Sequence, residues 1–348
     1  MNASAFERST KADKLGWYAF PMFRARYVAD EKVPEATQAE PSLSNAADLH
    51  QALITWYRDK GRNLPWRHTR DPYRILVSEV MLQQTQVDRV LPKYEQFLKR
   101  FPDLPSLAAA SLSDVLRIWS PLGYNRRARY LHLTARAAQD RFRGELPSGL
   151  SDLRSLPGIG RYTAGAVACF AFEQSTPVVD TNIRRVLGRL VLGQFDGISE
   201  ASAWHAATEA TPDHDAYSWN QGLMDLGATV CTPESPQCST CPLAEHCQWL
   251  QKQDSTAAVP RRVRERRAEY QVTPAMGAAR RRWRGRIIGA LREVQDDEFV
   301  SLEDIRAALV SQLGNPEVQL DLLVESLVVD GLIERSARSG GTWIRLAR

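Results

Sequence analysis

Two carboxylates sit where their surroundings would push them in opposite directions. Glu79 lies in the stretch Ser78-Glu79-Val80-Met81-Leu82-Gln83-Gln84-Thr85-Gln86-Val87, shortly after Asp71-Pro72. On a helix opened by that Asp-Pro pair, Ile75, Glu79 and Leu82 share one face. Apolar neighbours strip water from the carboxyl, raise its pKa and keep a proton available for general acid catalysis. Asp180 comes just before Asn182-Ile183-Arg184-Arg185-Val186-Leu187, which has helical character. As an N-cap there, it is expected to be held ionised by the helix dipole and the free amides. One group can then give up a proton while the other steadies a developing cation.

Between them runs Leu156-Pro157-Gly158-Ile159-Gly160-Arg161-Tyr162-Thr163-Ala164-Gly165. Pro157, Gly158 and Gly160 suit a tight hairpin whose backbone approaches something closely. The amides after Gly160 would open a helix, and such N-termini bind anions such as phosphate. Gly165 is small, and is expected to let the two helices of this unit pack closely. Taken singly, each feature has an ordinary structural reading: a helix connection, a cap, an exposed glutamate. An ionised carboxylate beside a phosphate-anchoring hairpin is what an enzyme needs to stabilise a cationic sugar.

The elements that must position these groups read as helices almost throughout. One runs from Leu49 through Trp56 and ends at Gly61-Arg62-Asn63-Leu64-Pro65-Trp66-Arg67. Others are expected over Leu107–Trp119, Leu131–Phe142, Ile183–Leu192 and Ala201–Val230. Trp66 serves equally as core or as a base-stacking wall beside Arg67. The amides of Gln83 to Gln86 could reach base edges or fill a gap in stacked DNA. The turn Leu122-Gly123-Tyr124 precedes Asn125-Arg126-Arg127-Ala128-Arg129, so Tyr124 would be a wedge and the arginines phosphate contacts.

The chain has 348 residues, 43% of them hydrophobic, and a net charge of +4. That length holds two or three domains, and the mild basicity permits a nucleic-acid partner. No apolar run reaches membrane-spanning length. Met1–Phe20 lacks an apolar signal core and carries Glu7 and Asp13, so a cytoplasmic protein is expected, associated with the nucleoid. Four of the five cysteines are bunched: Cys231, Cys238, Cys241 and Cys247, spaced C-x6-C-x2-C-x5-C. In a reducing compartment such thiols bind metal rather than form disulfides. Only one C-x-x-C pair is present, where structural zinc usually has two. The fifth, Cys169, lies in an apolar run and reads as a buried structural thiol.

Residues 47–250 resemble the catalytic domain of the A/G-mismatch adenine DNA glycosylases, the MutY type, of the helix-hairpin-helix superfamily that includes endonuclease III. Carrying the resemblance are Leu64-Pro65-Trp66-Arg67, the Glu79 stretch, Leu122-Gly123-Tyr124, the hairpin, Val179-Asp180-Thr181-Asn182, Met224-Asp225-Leu226-Gly227-Ala228 and the cysteine loop. It implies a mainly α, helix-hairpin-helix fold with a 4Fe–4S cluster on the four cysteines; zinc is the alternative. It makes Glu79 the acid that protonates adenine and manages water, and Asp180 the group that stabilises or attacks the sugar, with Tyr162 and Asn182 supporting both. By the same resemblance Trp66, Arg67, Leu82 and Gln221 line the adenine pocket, while Gln84 and Tyr124 wedge the duplex. Gly158, Gly160, Arg126 and Arg127 are expected on phosphates. The bifunctional relatives carry a Schiff-base Lys at the hairpin position held here by Tyr162, which implies a monofunctional enzyme. Asn125 replaces the second Tyr common after Gly-Tyr.

The expected partner is double-stranded DNA holding an adenine mismatch, met by a monomer with no membrane attachment. The other readings are a relative acting on thymine or uracil opposite guanine, and a non-catalytic iron–sulfur winged-helix DNA-binding protein. Residues 1–46 are taken as an extension and 251–279 as a basic linker. The family commonly adds a Nudix-like domain that recognises 8-oxoguanine, and the C-terminal residues are too few for one. Residues 280–348 instead read as helices over Trp283–Val294, Ser301–Leu313 and Pro316–Asp330, capped at Ser301 and Asn315. A hairpin over Ile333–Leu346, turning at Ser339-Gly340-Gly341, follows. This resembles a small α+β winged-helix module, expected to bind DNA or a protein.

Overall fold

Side-chain caps set where most of the site-bearing helices begin. In the computed structural model, which describes residues 46–253, 274–295, 298–313, 320–338 and 341–348, the helices α1 (Ala46–Lys60), α2 (Pro72–Leu82), α3 (Val87–Arg100), α4 (Leu104–Ala109), α5 (Leu112–Trp119) and α6 (Arg126–Phe142) come first. Asp71 caps α2, Asp103 caps α4 and Ser111 caps α5 through their side-chain oxygens. The single helix expected over Leu107–Trp119 is therefore two. Ala110 turns to extended backbone and Ser111 accepts from the Asp114 amide at 3.1 Å, which restarts the helix. Such a cap satisfies one of the free amides of a helix start.

Next come α7 (Leu150–Arg154), α8 (Arg161–Phe170), α9 (Thr181–Leu190), α10 (Glu200–Ala210), α11 (Ala216–Thr229) and α12 (Gln248–Gln251). The helix expected over Ala201–Val230 also divides, because Asp215 turns left-handed (φ 58°) and caps α11 through the Ser218 amide. α7, the turn at residues 155–160 and α8 make the helix-hairpin-helix. α2 packs on α8, and α11 packs on both α1 and α9, so Glu79, Tyr162 and the start of α9 face one interior. The core continues through Leu76, Met81, Trp119, Val167, Leu187 and Trp219.

The C-terminal module is α13 (Pro274–Arg292), β1 (Val300–Ser301), α14 (Leu302–Leu313), α15 (Leu320–Val329), β2 (Ile333–Arg338) and β3 (Gly341–Leu346). Its sheet is antiparallel with order β1-β3-β2; β2 and β3 pair in register from Ile333↔Leu346 to Arg338↔Gly341. The three helices and hairpin expected for a winged helix are present. A third, two-residue strand had no sequence signal, and α13 starts nine residues before the Trp283 expected. Ser301 caps α14 through the Asp304 amide. The N-terminal extension, most of the linker, Asn315 and the turn residues Ser339 and Gly340 lie outside the described residues. No helix among the described residues is long and apolar enough to cross a membrane. Leu43–Arg348 forms one compact unit, in which α13 rests against α5.

Candidate active site

The start of α2 fixes the register of Glu79. Asp71 Oδ1 accepts from the amides of Tyr73 (2.8 Å) and Arg74 (3.2 Å), with Pro72 at the first helical position. Ile75 then enters the core and Glu79 turns inward, 5% exposed. From α8 the Tyr162 hydroxyl donates to Glu79 Oε2 at 2.5 Å. Burial pushes Glu79 up to about 7, against the Tyr162 hydrogen bond and the Arg67 charge, which pull it down; the Asp180 charge adds to the rise. Desolvation favours the neutral form of a carboxyl. The Tyr162 hydroxyl is itself driven well above its usual range by burial and by both carboxylates, so it stays a donor.

Asp180 sits at the end of an extended segment that two other elements hold. A Cβ on Gly165 would lie 2.9 Å from the Pro177 carbonyl oxygen, so this glycine admits that segment against α8 rather than joining the two helices of the hairpin unit. Asn220 of α11 donates to the carbonyls of Thr176 (3.1 Å) and Ala216 (2.9 Å) and accepts from the Val178 amide (3.3 Å). Asp180 Oδ1 accepts from the Ile183 amide at 2.7 Å and Oδ2 from Asn182 Nδ2 at 3.1 Å. The cap expected from the sequence is there. The donors and the Arg185 charge pull the carboxyl down as expected, but burial outweighs them and raises it above its ordinary value. Two carboxyls nonetheless differ in partners, one hydroxyl for Glu79 against amides for Asp180.

Gly227 of α11 lets the start of α9 come close, since a Cβ there would stand 2.6 Å from Asn182 Cβ. Arg185 ties the same corner together, donating to Asn182 Oδ1 (2.9 Å), the Gly227 carbonyl (2.6 Å) and the Cys231 carbonyl (2.8 Å).

The residues expected to line a base pocket divide. Arg67 spends both terminal nitrogens on Asp225, at 2.6 and 2.8 Å, and one also on the Arg62 carbonyl. Arg62 holds the same carboxylate through its amide and Nε. Burial alone would raise Asp225, but the two arginines more than offset it and hold it below the usual range. Arg67 is thus a buried, bidentate partner of Asp225 that reaches Glu79 only through its field. Trp66 is core, 6% exposed and edge-on to Tyr94 with centroids 5.3 Å apart. Leu82 is half-buried at the end of α2, and Gln221 is buried on α11, where no described residue hydrogen-bonds its amide.

Gln84 and Tyr124 both stand in exposed turns with left-handed backbone, φ 54° and 47°. Arg127 does not face phosphates. It is buried and donates to the carbonyls of Val80 (3.0 Å), Met81 (2.8 Å), Gln83 and Gly123 (3.3 Å) and to Thr85 Oγ1 (3.0 Å). A cation there caps the C-terminus of α2; desolvation lowers it to about 10. Arg126 is exposed and lies 3.6 Å from Asp330. In the hairpin, Gly158 has φ +77° and a Cβ there would lie 2.6 Å from Tyr130 Cβ. A Cβ on Gly160 would meet nothing within 4 Å. Gly160 opens α8 with no side-chain cap, leaving its first amides available to an anion.

Cys231, Cys238, Cys241 and Cys247 line one cavity, with Arg189, Val230, Trp249 and Leu250 in its wall. Arg189 Nη1 donates to Cys231 Sγ at 3.3 Å and to the Thr232 carbonyl at 2.8 Å. Among the described residues no three His, Cys, Asp or Glu side chains converge to hold a metal ion. Cys169 is buried elsewhere, within 3.4 Å of Asn220 Nδ2.

Residues 77–201 match the family described as HhH-GPD superfamily base excision DNA repair protein. The adenine DNA glycosylase of Mycolicibacterium smegmatis is 42% identical over 288 residues, covering 82% of this chain and 92% of that one. That of Mycobacterium tuberculosis is 39% identical over 303 residues, covering 85% and 94%. A solved thermostable thymine-DNA glycosylase aligns over 61% of this chain and all of its own at 29% identity, TM-score 0.57. Fold and site define a helix-hairpin-helix DNA glycosylase of base excision repair. Within that class the chain belongs to the adenine DNA glycosylase family.

Proposed function

We propose that the enzyme hydrolyses the N-glycosidic bond of adenine mispaired with 8-oxoguanine or guanine in duplex DNA, and does not nick the strand. The observation that carries this is Glu79, buried, raised to about 7 and held by the Tyr162 hydroxyl at 2.5 Å. At neutral pH a large fraction of Glu79 holds a proton. That proton passes to the adenine ring, the C1′–N bond breaks with its electron pair going to the base, and a sugar cation remains. Asp180, fixed by Ile183 and Asn182, stabilises the cation on one side. Water then bonds to C1′ and returns its proton to the Glu79 carboxylate. This division between a neutral and an anionic carboxyl follows the logic of glycoside cleavage. The base reaches the pocket by flipping out of the duplex, with Gln84 and Tyr124 as wedges, Gly158 and Gly160 at a phosphate, and the Gln221 amide free for a base edge. Tyr162 has no amine, so the hairpin supplies no Schiff base.

The four cysteines would hold a 4Fe–4S cluster, their donor set and shared cavity being the fit. When bound, its iron–thiolate bonds would close the loop into a rigid unit. Adenine should be released opposite 8-oxoguanine or guanine, and base release from A·T, T·G and U·G duplexes should be negligible. Faster release of thymine or uracil would overturn the substrate assignment. Elemental analysis should find iron and acid-labile sulfide in equal amounts, and zinc without iron would overturn the cluster.

A further inference from the structure

The turn that presents Tyr124 is pinned from two sides. On the catalytic side, Trp119 Nε1 donates to the Gly123 carbonyl (2.9 Å), Arg127 reaches the same carbonyl, and Arg89 donates to the Pro121 carbonyl (2.8 Å). On the other side stands α13 of the C-terminal module. Its Arg292 donates to Ser120 Oγ (3.0 Å) and Asn125 Oδ1 (2.9 Å), the two ends of the turn. The contact is reciprocal: Arg117, two residues before Trp119 ends α5, donates to the carbonyls of Arg292 (3.0 Å) and Val294 at the end of α13. A second contact joins the start of α6 to the end of α15, where Asp330 takes Arg126 at 3.6 Å and Arg284 from within the module. Beside it Gly331, at φ +61°, lies against the Arg129 guanidinium of α6, where a Cβ would come 2.6 Å from Nε. With its backbone held this way, the Tyr124 ring still stands 50% exposed.

We infer that the C-terminal module is a positioning device for the Tyr124 wedge, with Arg292 as the positioning residue. The inference rests on the reading of Tyr124 as the group that enters the duplex. A turn with a non-glycine residue in the left-handed region is held there by its surroundings. Arg292 is half-buried and desolvated, so its charge-assisted bonds to the turn are stronger than surface contacts. Asn125 provides the side-chain oxygen that Arg292 grips. The module acts through the stiffness of the turn, whether or not it touches DNA.

The test uses the full chain and a duplex carrying 2-aminopurine next to an adenine·8-oxoguanine pair. Fluorescence reads unstacking; single-turnover rate reads base release. Arg292→Ala and Asn125→Ala should each reduce the fluorescence rise and slow release at saturating enzyme about threefold to tenfold, while affinity changes by less than about twofold. Arg292→Ala should add nothing to a Tyr124→Ala enzyme, because Arg292 acts only through the turn that carries Tyr124. Arg292→Lys should recover part of both signals. Arg306→Ala, which removes an exposed ion pair within the module, should change neither. Full unstacking by Arg292→Ala, or effects of Arg292→Ala and Tyr124→Ala that multiply, would overturn the inference. So would loss in Arg292→Ala alone together with its melting transition while Asn125→Ala behaves as wild type. Unstacking is seen whether or not a base is released. If the wild type unstacks the pair without releasing adenine, the proposed function falls and the positioning role stands.

Discussion

The hairpin face and the wedge face of this enzyme are built by opposite uses of the backbone. On the hairpin face, α8 begins at Gly160 with its amides uncapped and space around them. On the wedge face, the carbonyls that end α2 are gathered by one buried guanidinium, Arg127, which also grips both turns carrying Gln84 and Tyr124. One face leaves donors free for an anion; the other commits both terminal nitrogens of Arg127 to two turns with left-handed residues. The lesson concerns charge. The basic run at Arg126–Arg129 looks like a phosphate-binding surface, yet one of its arginines is buried and a second leans on Asp330. On the hairpin the dipole and the first amides of α8 stand ready for phosphate beside the exposed Arg161.

The centre that both faces serve gives the largest expected effects. Glu79→Gln and Asp180→Asn should each lower single-turnover base release by about 10²–10⁴-fold or more, with DNA affinity largely kept. A variant of either kind that turns over near the wild-type rate would break the site assignment. In the wild type, base release should fall as pH rises through about 7. Stability is linked to the same proton. Glu79 is raised in the folded state, so its proton stabilises the fold most at low pH, and this is lost between about 4.5 and about 7. Above pH 7, Glu79→Gln should therefore raise stability by on the order of 3–4 kcal/mol, at about 1.4 kcal/mol per pH unit. Denaturant melts at pH 5 and pH 8 check it: a gain at pH 5 as large as that at pH 8 excludes the linkage.

Arg127 and Arg126 put the contrast between faces to a direct trial. Arg127→Ala leaves several buried carbonyls unpaired and should cost on the order of 3 kcal/mol. Arg126→Ala removes an exposed ion pair and should stay within about 0.5 kcal/mol. Equal melting midpoints for the two variants would mean that the wedge face is not organised from Arg127.

What the sequence made legible was local. The Asp71, Ser301 and Asp180 caps, the inward face shared by Ile75 and Glu79, and the clustered cysteines all depend on neighbours within a few residues. Glu79 rises as expected because the apolar positions on its own helix show which face turns inward, where α8 packs on it. Asp180 goes the other way from expectation: its amide donors are visible locally, but the helices that crowd it are not. Arg127 looks like a phosphate contact for the same reason, since its carbonyl partners at Val80 and Met81 lie 47 and 46 residues away. Asn220 and Asp225 had no visible role, one securing the segment before Asp180 and the other securing Arg67 across 158 residues. The split at Ala110–Ser111 was readable in principle, because Ser111 with Asp114 is a cap pattern.

The smallest effect separates the two glycines of the hairpin. Gly158 needs its left-handed φ of +77° and lies against Tyr130, so Gly158→Ala strains the turn and forces the ring to move. A cost of about 1–3 kcal/mol is expected in thermal melts. Gly160 has extended backbone, which any residue adopts, and its Cβ would meet nothing within 4 Å. Gly160→Ala should therefore melt within about 0.5 kcal/mol of wild type. Its methyl would instead stand where a phosphate approaches the first amides of α8, weakening DNA binding by about threefold to tenfold. No charge is removed, so the slope of affinity against salt should stay the same, whereas a lost arginine contact would make it shallower. Unchanged affinity in Gly160→Ala would show that DNA does not come down on the open end of α8, and the hairpin face would lose its assigned use.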